Sequence, residues 1–356
     1  MTVANEETRK RGNATAGGFL LVVCLLLSVP GGIFAQGNAS QTDTANIVLQ
    51  KRIGSLEKRL ADLEKEAIGL RSDVASLRFP SPPETLVLCD KPIPLGRDDV
   101  RERFDREFYL ILENRGLLTI LTKRYAKFFP SLLEEIEKFR FPSDLIYLAV
   151  AESYLNPRVV STAGAGGMWQ FIKETGKREG LFIGDGVDER YSIPLSTYSA
   201  LFYLRRLYGE FGDWFLAMAA YNCGEARVRE AIANQNTRDF FDLFLPEETE
   251  RYVMRIGAFK ELLSNPRKYG FNPEKKDYYP PYSVCDVIIT TSKDLHTAVL
   301  AQAMDLPYKA FRDNNLHLRR YTLSKGTYHI FLPTERREAF LRRIRAVPGV
   351  SLEKDG

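Results

Sequence analysis

Glu152 has the setting in this sequence that best suits acid–base chemistry. It follows an apolar stretch, residues 145–151, and Leu145, Leu148 and Ala149 precede it by seven, four and three positions. In a helix this spacing places the carboxyl on the apolar face. Burial raises the pKa of a carboxyl, and a proton held near neutral pH is what a general acid needs. From the helix alone, a carboxylate tied to an arginine or to a helix N-terminus is an equal alternative.

The segments around Glu152 predict how it is held. Pro142 suits a first helical turn, and Pro157 marks the end of the predicted helix. A glycine-rich stretch, residues 164–167, then precedes Gln170. Glycines at such a turn allow backbone conformations and close approaches that other residues resist. The sequence therefore predicts a helix that ends near a tight turn, with polar side chains beside the carboxyl.

A second catalytic carboxylate is missing from this stretch. Most glycoside hydrolases use two carboxylates, yet Glu174 and Asp185 come later, among charged and loop-like neighbours. All three histidines, His296, His317 and His329, lie in the last quarter of the chain. Serine–histidine, cysteine–histidine and H-E-x-x-H zinc sites are thus excluded from the motif region. We expect no metal and no cofactor, and any sugar chemistry must use one carboxyl for both proton transfers.

Four motifs within roughly residues 98–268 carry a specific resemblance: "AESYLNP", "STAGAGGMWQF", "AYNCGEARV" and "ETERYVMRIGAF". In this order and at these separations they resemble the soluble lytic transglycosylase domain, which has the goose-type lysozyme fold. They are most similar to the membrane-bound lytic murein transglycosylase D type. The resemblance implies that Glu152 protonates the β-1,4 glycosidic oxygen between N-acetylmuramic acid and N-acetylglucosamine. It then takes the proton of the C6 hydroxyl, which closes onto C1 and leaves a 1,6-anhydro end without using water.

The resemblance also implies the residues that bind the glycan. These are Ser153, Met168, Trp169, Gln170, Tyr221, Asn222 and Tyr252. Tyr252 would orient Glu152, and Tyr221 with Asn222 would line the saccharide groove. Two alternatives stay open, since Ser153 could serve as a helix-terminal hydroxyl and Tyr221 as a core residue.

Composition and patterning predict a mainly α protein. Of its 356 residues, 44% are hydrophobic and 12% aromatic, which excludes a disordered chain. The net charge of +4 is mild, and no basic patch interleaved with aromatic residues indicates nucleic-acid binding. The predicted regions are a signal peptide (1–35), a coiled coil (36–78), a linker with N-terminal helices (79–140), a lysozyme-like catalytic domain (141–270) and a small α+β appendage (271–356). Breaks are expected at Gly116, Pro130 and Pro142.

The N-terminus has the order of a secretory signal. Basic residues 9–11 precede the apolar run 19–29 and small residues that end at Ala35. Export to the periplasm or cell envelope follows, and association with a membrane stays compatible. Export would leave Cys89, Cys223 and Cys285 in an oxidising compartment, and because their number is odd at least one of them is unpaired. A bridge between Cys89 and Cys285 is the pairing we expect.

Residues 46–78 carry a heptad pattern. Residues 53, 56, 60, 63, 67, 70, 74 and 77 are Ile, Leu, Ala or Val at alternating spacings of three and four. In a parallel pair of helices, each g residue would face an e residue of opposite charge, as in Arg52 with Glu57 and Glu66 with Arg71. The pattern predicts a parallel homodimer or trimer, and a solvated single helix is the alternative.

Two other functions remain open at this point. A true lysozyme would hydrolyse the same bond and leave reducing ends. An inactive glycan-binding protein would use the coiled coil to assemble an envelope complex. The first lacks its second carboxylate, and the second gives no use to Glu152, Gln170, Tyr221 and Asn222.

Overall fold

The computed structural model describes residues 39–78 and 80–353. The predicted signal peptide, with its cleavage after Ala35, lies outside the described residues. The chain divides into two units, one up to Ala75 and one from Ser76 onward.

The first unit contains most of helix α1, Ala39–Arg78, whose last three residues fall in the second unit. The helix is continuous through Gly54 and Gly69. Its heptad side chains Leu56, Leu60 and Leu63 are 60%, 58% and 54% exposed. The apolar stripe that the sequence predicts is therefore uncovered in the single chain, and self-association stays a prediction.

After the end of α1, the second unit has a hairpin and then helices. Strands β1 (Leu86–Leu88) and β2 (Lys91–Ile93) pair antiparallel. The helices are α2 (Asp98–Glu113), α3 (Arg115–Lys138), α4 (Ile146–Ser153), α5 (Lys173–Arg178), α6 (Ile193–Phe211), α7 (Trp214–Cys223), α8 (Glu225–Gln235) and α9 (Glu247–Ser264). Helix α9 packs against α2, α4 and α7. The mainly α class predicted from the sequence is confirmed.

The predicted break at Pro130 is wrong, because α3 runs through this residue. A proline inside a helix removes one backbone hydrogen bond. The helix continues because buried Phe128 and Leu132 anchor it to the core on both sides of Pro130. Tertiary packing thus offsets the local cost.

The C-terminal part of the second unit is α+β, as the sequence indicates. Strand β3 (Val284–Thr291) lies between β6 (Gly326–Pro333) and β7 (Val350–Leu352), antiparallel to both. A short pair, β4 (Leu295–His296) and β5 (Thr322–Leu323), and helices α10 (Thr297–Met304), α11 (Tyr308–Asn314) and α12 (Arg337–Ile344) complete it. Its own core starts at Val287, whereas the helical core extends to Tyr282.

Cys89, Cys223 and Cys285 are free thiols. The expected Cys89–Cys285 bridge is therefore not formed. Cys89 is buried in the helical core, whereas Cys285 lies on β3 and its thiol faces the carbonyl oxygen of Leu332. Within residues 39–78 and 80–353, no helix is both long and apolar enough to cross a membrane.

Candidate active site

Glu152 lies in the last turn of α4. The helix ends at Ser153, earlier than Pro157 predicts, because Tyr154 and Leu155 adopt left-handed backbone angles (φ 52° and 53°). The rest of α4 is anchored in the core, with Leu148 and other apolar residues fully buried. The early helix end therefore places the carboxyl at the wall of a cleft.

The cleft around Glu152 has a volume of about 850 Å³. The Tyr252 hydroxyl donates to Glu152 Oε1 at 2.5 Å. Burial raises the pKa of Glu152 to about 7, although the hydrogen bond from Tyr252 and the charge of Arg255 lower it. Both protonation states are thus populated near neutral pH, which one group needs if it is to give and later take a proton.

A salt-bridge network from α2 and α9 lies behind the carboxyl. The buried Glu107 accepts from Arg251 Nε at 2.6 Å and from Arg255 Nε at 2.7 Å. Arg255 Nη1 donates to Glu248 Oε1 at 2.7 Å, and this bond lowers the pKa of Glu248. Glu107 thus fixes the cation that acts on Glu152. Glu248 lies four residues before Tyr252 and Arg255 three residues after it, so helical spacing could have placed both on the same face as Tyr252. Glu107 comes from another helix and has no such signal in the sequence.

The glycine-rich turn forms the adjoining wall. Gly167 has φ +82°, and a Cβ added there would lie 1.8 Å from the carbonyl oxygen of Arg190. Gln170, also left-handed at φ 51°, donates from Nε2 to the carbonyl oxygen of Gly167 at 2.8 Å. Only glycine fits at position 167, which agrees with the tight turn that the sequence predicts.

Arg190 supports this turn from within the protein. Its Nη1 donates to the carbonyl oxygens of Gly164 at 2.8 Å and Phe171 at 3.0 Å. Its Nη2 and Nε donate to the two carboxylate oxygens of Asp188 at 2.8 and 3.0 Å. Arg190 was not predicted, since an aspartate two residues before an arginine carries no specific signal.

Five of the eight predicted site residues line the cleft together: Glu152, Gln170, Tyr221, Asn222 and Tyr252. Tyr221 also donates its hydroxyl to the carbonyl oxygen of Trp169 at 2.8 Å, and Asn222 Oδ1 accepts from Thr249 Oγ1 at 2.8 Å. Tyr221 therefore lines the cleft and also packs against the protein interior, so both of its predicted roles are compatible with the structure.

The other three predicted residues lie beneath the cleft. Met168 and Trp169 are fully buried, and Ser153 is 2% exposed. Ser153 donates its hydroxyl to the carbonyl oxygen of Met168 at 2.7 Å, and Trp169 Nε1 donates to Thr197 Oγ1 at 2.9 Å. Met168 and Trp169 are thus enclosed by the protein, and Ser153 takes the helix-end position that the sequence left open, so contact of these side chains with the glycan stays a prediction. They join the turn to α4 and α6 because their polar groups are already satisfied by the protein.

Besides Glu152, the cleft lining contains the carboxylates Glu248 and Glu225, and Glu225 was not predicted from the sequence. Burial disfavours its charge, yet a backbone hydrogen bond, the Tyr203 hydroxyl and the charges of Arg178 and Arg206 lower its pKa overall. Cys223 also lines the cleft, and burial raises the pKa of its thiol. Across the described residues, no group of His, Cys, Asp and Glu is arranged to hold a metal ion.

Comparison with known proteins agrees with this geometry. Residues 133–244 match the Transglycosylase SLT domain. The membrane-bound lytic murein transglycosylase D of Escherichia coli strain K12 is 36% identical over 178 residues, which cover 49% of this chain and 38% of that protein. The peptidoglycan transglycosylase gp16 of Escherichia phage T7 is 41% identical over 111 residues, covering 31% of this chain and 8% of that protein.

Among solved structures, the 70 kDa soluble lytic transglycosylase of Escherichia coli is 21% identical with a TM-score of 0.32, covering 42% of this chain and 26% of that one. This chain spans well under half the length of each of these relatives. The resemblance inferred from the motifs is confirmed for residues 133–244, which match the transglycosylase SLT domain.

Proposed function

We propose that this protein is a peptidoglycan lytic transglycosylase of the cell envelope, with Glu152 as its single acid and base. The observation that carries the proposal is the Glu152 carboxyl, whose pKa is raised to about 7 in a cleft large enough for several sugar units. The SLT domain match supports the substrate class, peptidoglycan glycan strands.

In the proposed reaction, protonated Glu152 gives its proton to the β-1,4 glycosidic oxygen as the bond from this oxygen to C1 breaks. The N-acetylglucosamine side leaves as an alcohol. The resulting Glu152 carboxylate then removes the proton of the C6 hydroxyl on the muramic residue, and the C6 oxygen bonds to C1. The 1,6-anhydro ring balances the reaction without water, and the intramolecular nucleophile benefits from proximity.

Hydrolysis is the competing reaction, and two further carboxylates of the cleft, Glu225 and Glu248, bear on it. Glu225 accepts from the Tyr203 hydroxyl at 3.0 Å and pairs with Arg178 and Arg206. Glu248 lines the cleft with Glu152, as a hydrolytic base would have to. However, both of its oxygens accept from Arg255, and this pairing lowers its pKa. A carboxylate held in this way is a weak base for water, which favours the single-carboxyl reaction.

Mass spectrometry of muropeptides released from purified sacculi tests the proposal. Residues 36–356 should release 1,6-anhydro products, and Glu152→Gln should release about 10⁴-fold less because it removes the proton donor. Glu174→Gln is the matched control, since Glu174 does not line the cleft. Reducing ends would establish hydrolysis. If neither wild type nor control releases products, the inactive scaffold becomes the better explanation.

We also propose that α1 joins two chains in parallel, dimer before trimer, which would raise the avidity for glycan strands. Support comes from the exposed stripe of Leu56, Leu60 and Leu63 and from its opposite g and e charges. Light scattering should show a dimer for residues 36–356 and a monomer for Leu60→Lys. The control Lys65→Glu, at an outer heptad position, should stay dimeric, and a monomeric wild-type protein would refute the proposal.

A further inference from the structure

A second cavity, here called the junction cavity, lies apart from the catalytic cleft. It has a volume of about 600 Å³. One wall is the 182–189 loop of the helical part, and the other is formed by residues 317–329 of the α+β part. None of its lining residues lines the catalytic cleft. It is therefore a separate concave site.

Backbone hydrogen bonds join the two walls. The Asp188 N–H donates to the carbonyl oxygen of His317 at 2.8 Å, and the Arg319 N–H donates to that of Gly186 at 2.8 Å. Val187 and Leu318 form an antiparallel bridge between these two bonds. Because main-chain groups hold the walls together, the cavity is preformed and does not depend on a ligand to assemble it.

The cationic groups of the lining already face carboxylates. Arg320 is paired with Asp185, and His329 Nδ1 lies 2.6 Å from Asp286 Oδ2. An anionic ligand would therefore have to compete with an existing partner at each cation. This arrangement favours a ligand without net charge.

The remaining polar groups are mainly hydrogen-bond acceptors. His317 is 1% exposed, its Nε2 lies 3.0 Å from the carbonyl oxygen of His329, and its Nδ1 has no partner among the described residues. Burial lowers the pKa of His317 to about 4, so Nε2 carries the one proton and Nδ1 is a bare acceptor. Glu189 uses Oε2 to accept the Phe182 N–H at 2.7 Å. His317 Nδ1 is itself enclosed by the protein, so the group of this pair that a ligand can reach is the Glu189 carboxylate, to which hydroxyl groups of a ligand would donate.

An aromatic ring and hydroxyl side chains complete the lining. Phe182 lines the cavity and is 61% exposed, so its ring is accessible to a ligand. Its ring is fixed close to Gly184, where an added Cβ would lie 3.1 Å from Cε1. Thr322, Ser324 and Thr327 bring hydroxyl groups to the other wall. A flat apolar surface together with acceptors and hydroxyls suits the face and edge of a sugar ring.

We propose that the junction cavity binds a neutral sugar unit of a glycan strand, at a site separate from the catalytic cleft. This inference rests on the proposed function for the identity of the strand. A strand held here as well as in the cleft is bound at two places, so polymeric substrate gains avidity that a short fragment does not.

Binding of chitotetraose, a neutral tetramer of N-acetylglucosamine, to the full Glu152→Gln chain tests the site directly. Hydrogen exchange should show protection of residues 182–189 and 317–329 by the tetramer, besides protection at the cleft. Phe182→Ala should weaken the junction event about tenfold by calorimetry and leave the cleft event unchanged. Phe244→Ala is the control, because Phe244 is 84% exposed and lines neither site.

The outcomes separate this inference from the proposed function. With catalytic Glu152 present, Phe182→Ala should release products from sacculi about threefold more slowly while cleaving short soluble fragments at the wild-type rate. Protection confined to the cleft, the absence of any protection, or equal affinities for Phe182→Ala and Phe244→Ala would overturn the junction site. A chain that binds the tetramer at the junction but releases nothing from sacculi would keep the site and overturn the activity.

Discussion

The catalytic cleft and the junction cavity each contain a titratable group whose pKa is moved by desolvation toward the neutral form: Glu152 in the cleft and His317 in the cavity. At Glu152 desolvation raises the pKa to about 7, and at His317 it lowers the pKa to about 4. The neutral carboxyl still holds a proton that it can give away, whereas the neutral imidazole presents a lone pair. The same physical effect therefore produces an acid in one region and an acceptor in the other.

The surroundings separate the two regions further. Glu152 has a hydroxyl donor, Tyr252, at one oxygen and a fixed cation, Arg255, nearby. His317 Nδ1 has no partner among the described residues. Glu152 is thus held by two polar partners, whereas His317 is held through Nε2 alone.

The largest expected effect concerns Arg190, which lies between the two regions. Arg190→Ala leaves the buried Asp188 carboxylate without its partner, and we expect a loss of about 3–5 kcal/mol of unfolding free energy in chemical denaturation. Arg320→Ala removes the exposed pair at the same junction and should cost less than about 1 kcal/mol. Similar losses for the two variants would show that Arg190 does not join the regions.

Glu152→Gln should alter the pH dependence of stability. The folded protein retains a proton on Glu152 that the unfolded chain releases between pH 4.5 and about 7, so this group lowers stability as pH rises through that window. The variant should thus be more stable than wild type above pH 7, by up to about 3 kcal/mol, and equal to it below pH 4.5. Thermal melts from pH 4 to pH 8 measure this difference, and a constant difference would contradict the raised pKa.

His317→Gln should show the opposite slope. Between pH 6.5 and about 4, His317 binds a proton in the unfolded chain but stays neutral in the folded protein. The free energy of unfolding therefore decreases as the pH falls through this range. Gln keeps a donor for the carbonyl oxygen of His329 and does not titrate. Relative to wild type, the variant should gain up to about 3 kcal/mol on going from pH 7 to pH 4. Parallel melting curves would show that His317 is accessible to protons in the folded state.

Tyr252→Phe should have the smallest effect and act only on the cleft. The hydroxyl hydrogen bond lowers the pKa of Glu152, so its loss should shift the alkaline limb of the pH–rate profile to higher pH. We expect the rate at neutral pH to fall about tenfold, because the carboxyl also loses its orientation. A fall in rate without a shift of the profile would mean that Tyr252 positions the substrate instead of Glu152.

Much of the cleft could be predicted from local patterns. Glu152 on an apolar helix face and the glycines at 164 and 167 each have a spacing or residue type with a direct structural meaning, whereas Tyr252 was predicted only from the family resemblance. The break predicted at Pro130 is absent because packing offsets the local cost of a proline in a helix. The burial of Met168 and Trp169 was not predicted because a motif does not show which side of a turn faces the ligand.

The sequence by itself determined the residue types, the helical faces, the glycine turn and the heptad stripe of α1, since these depend on neighbours within a few positions. Only the tertiary structure decided that Glu107 holds Arg255 behind Glu152, that Arg190 supports the turn, and that a cavity forms beside His317. The partners of these residues come from distant segments. Desolvation and charge pairing, which set the pKa of Glu152 and His317, depend on what packs around a group and not on what precedes it in the chain.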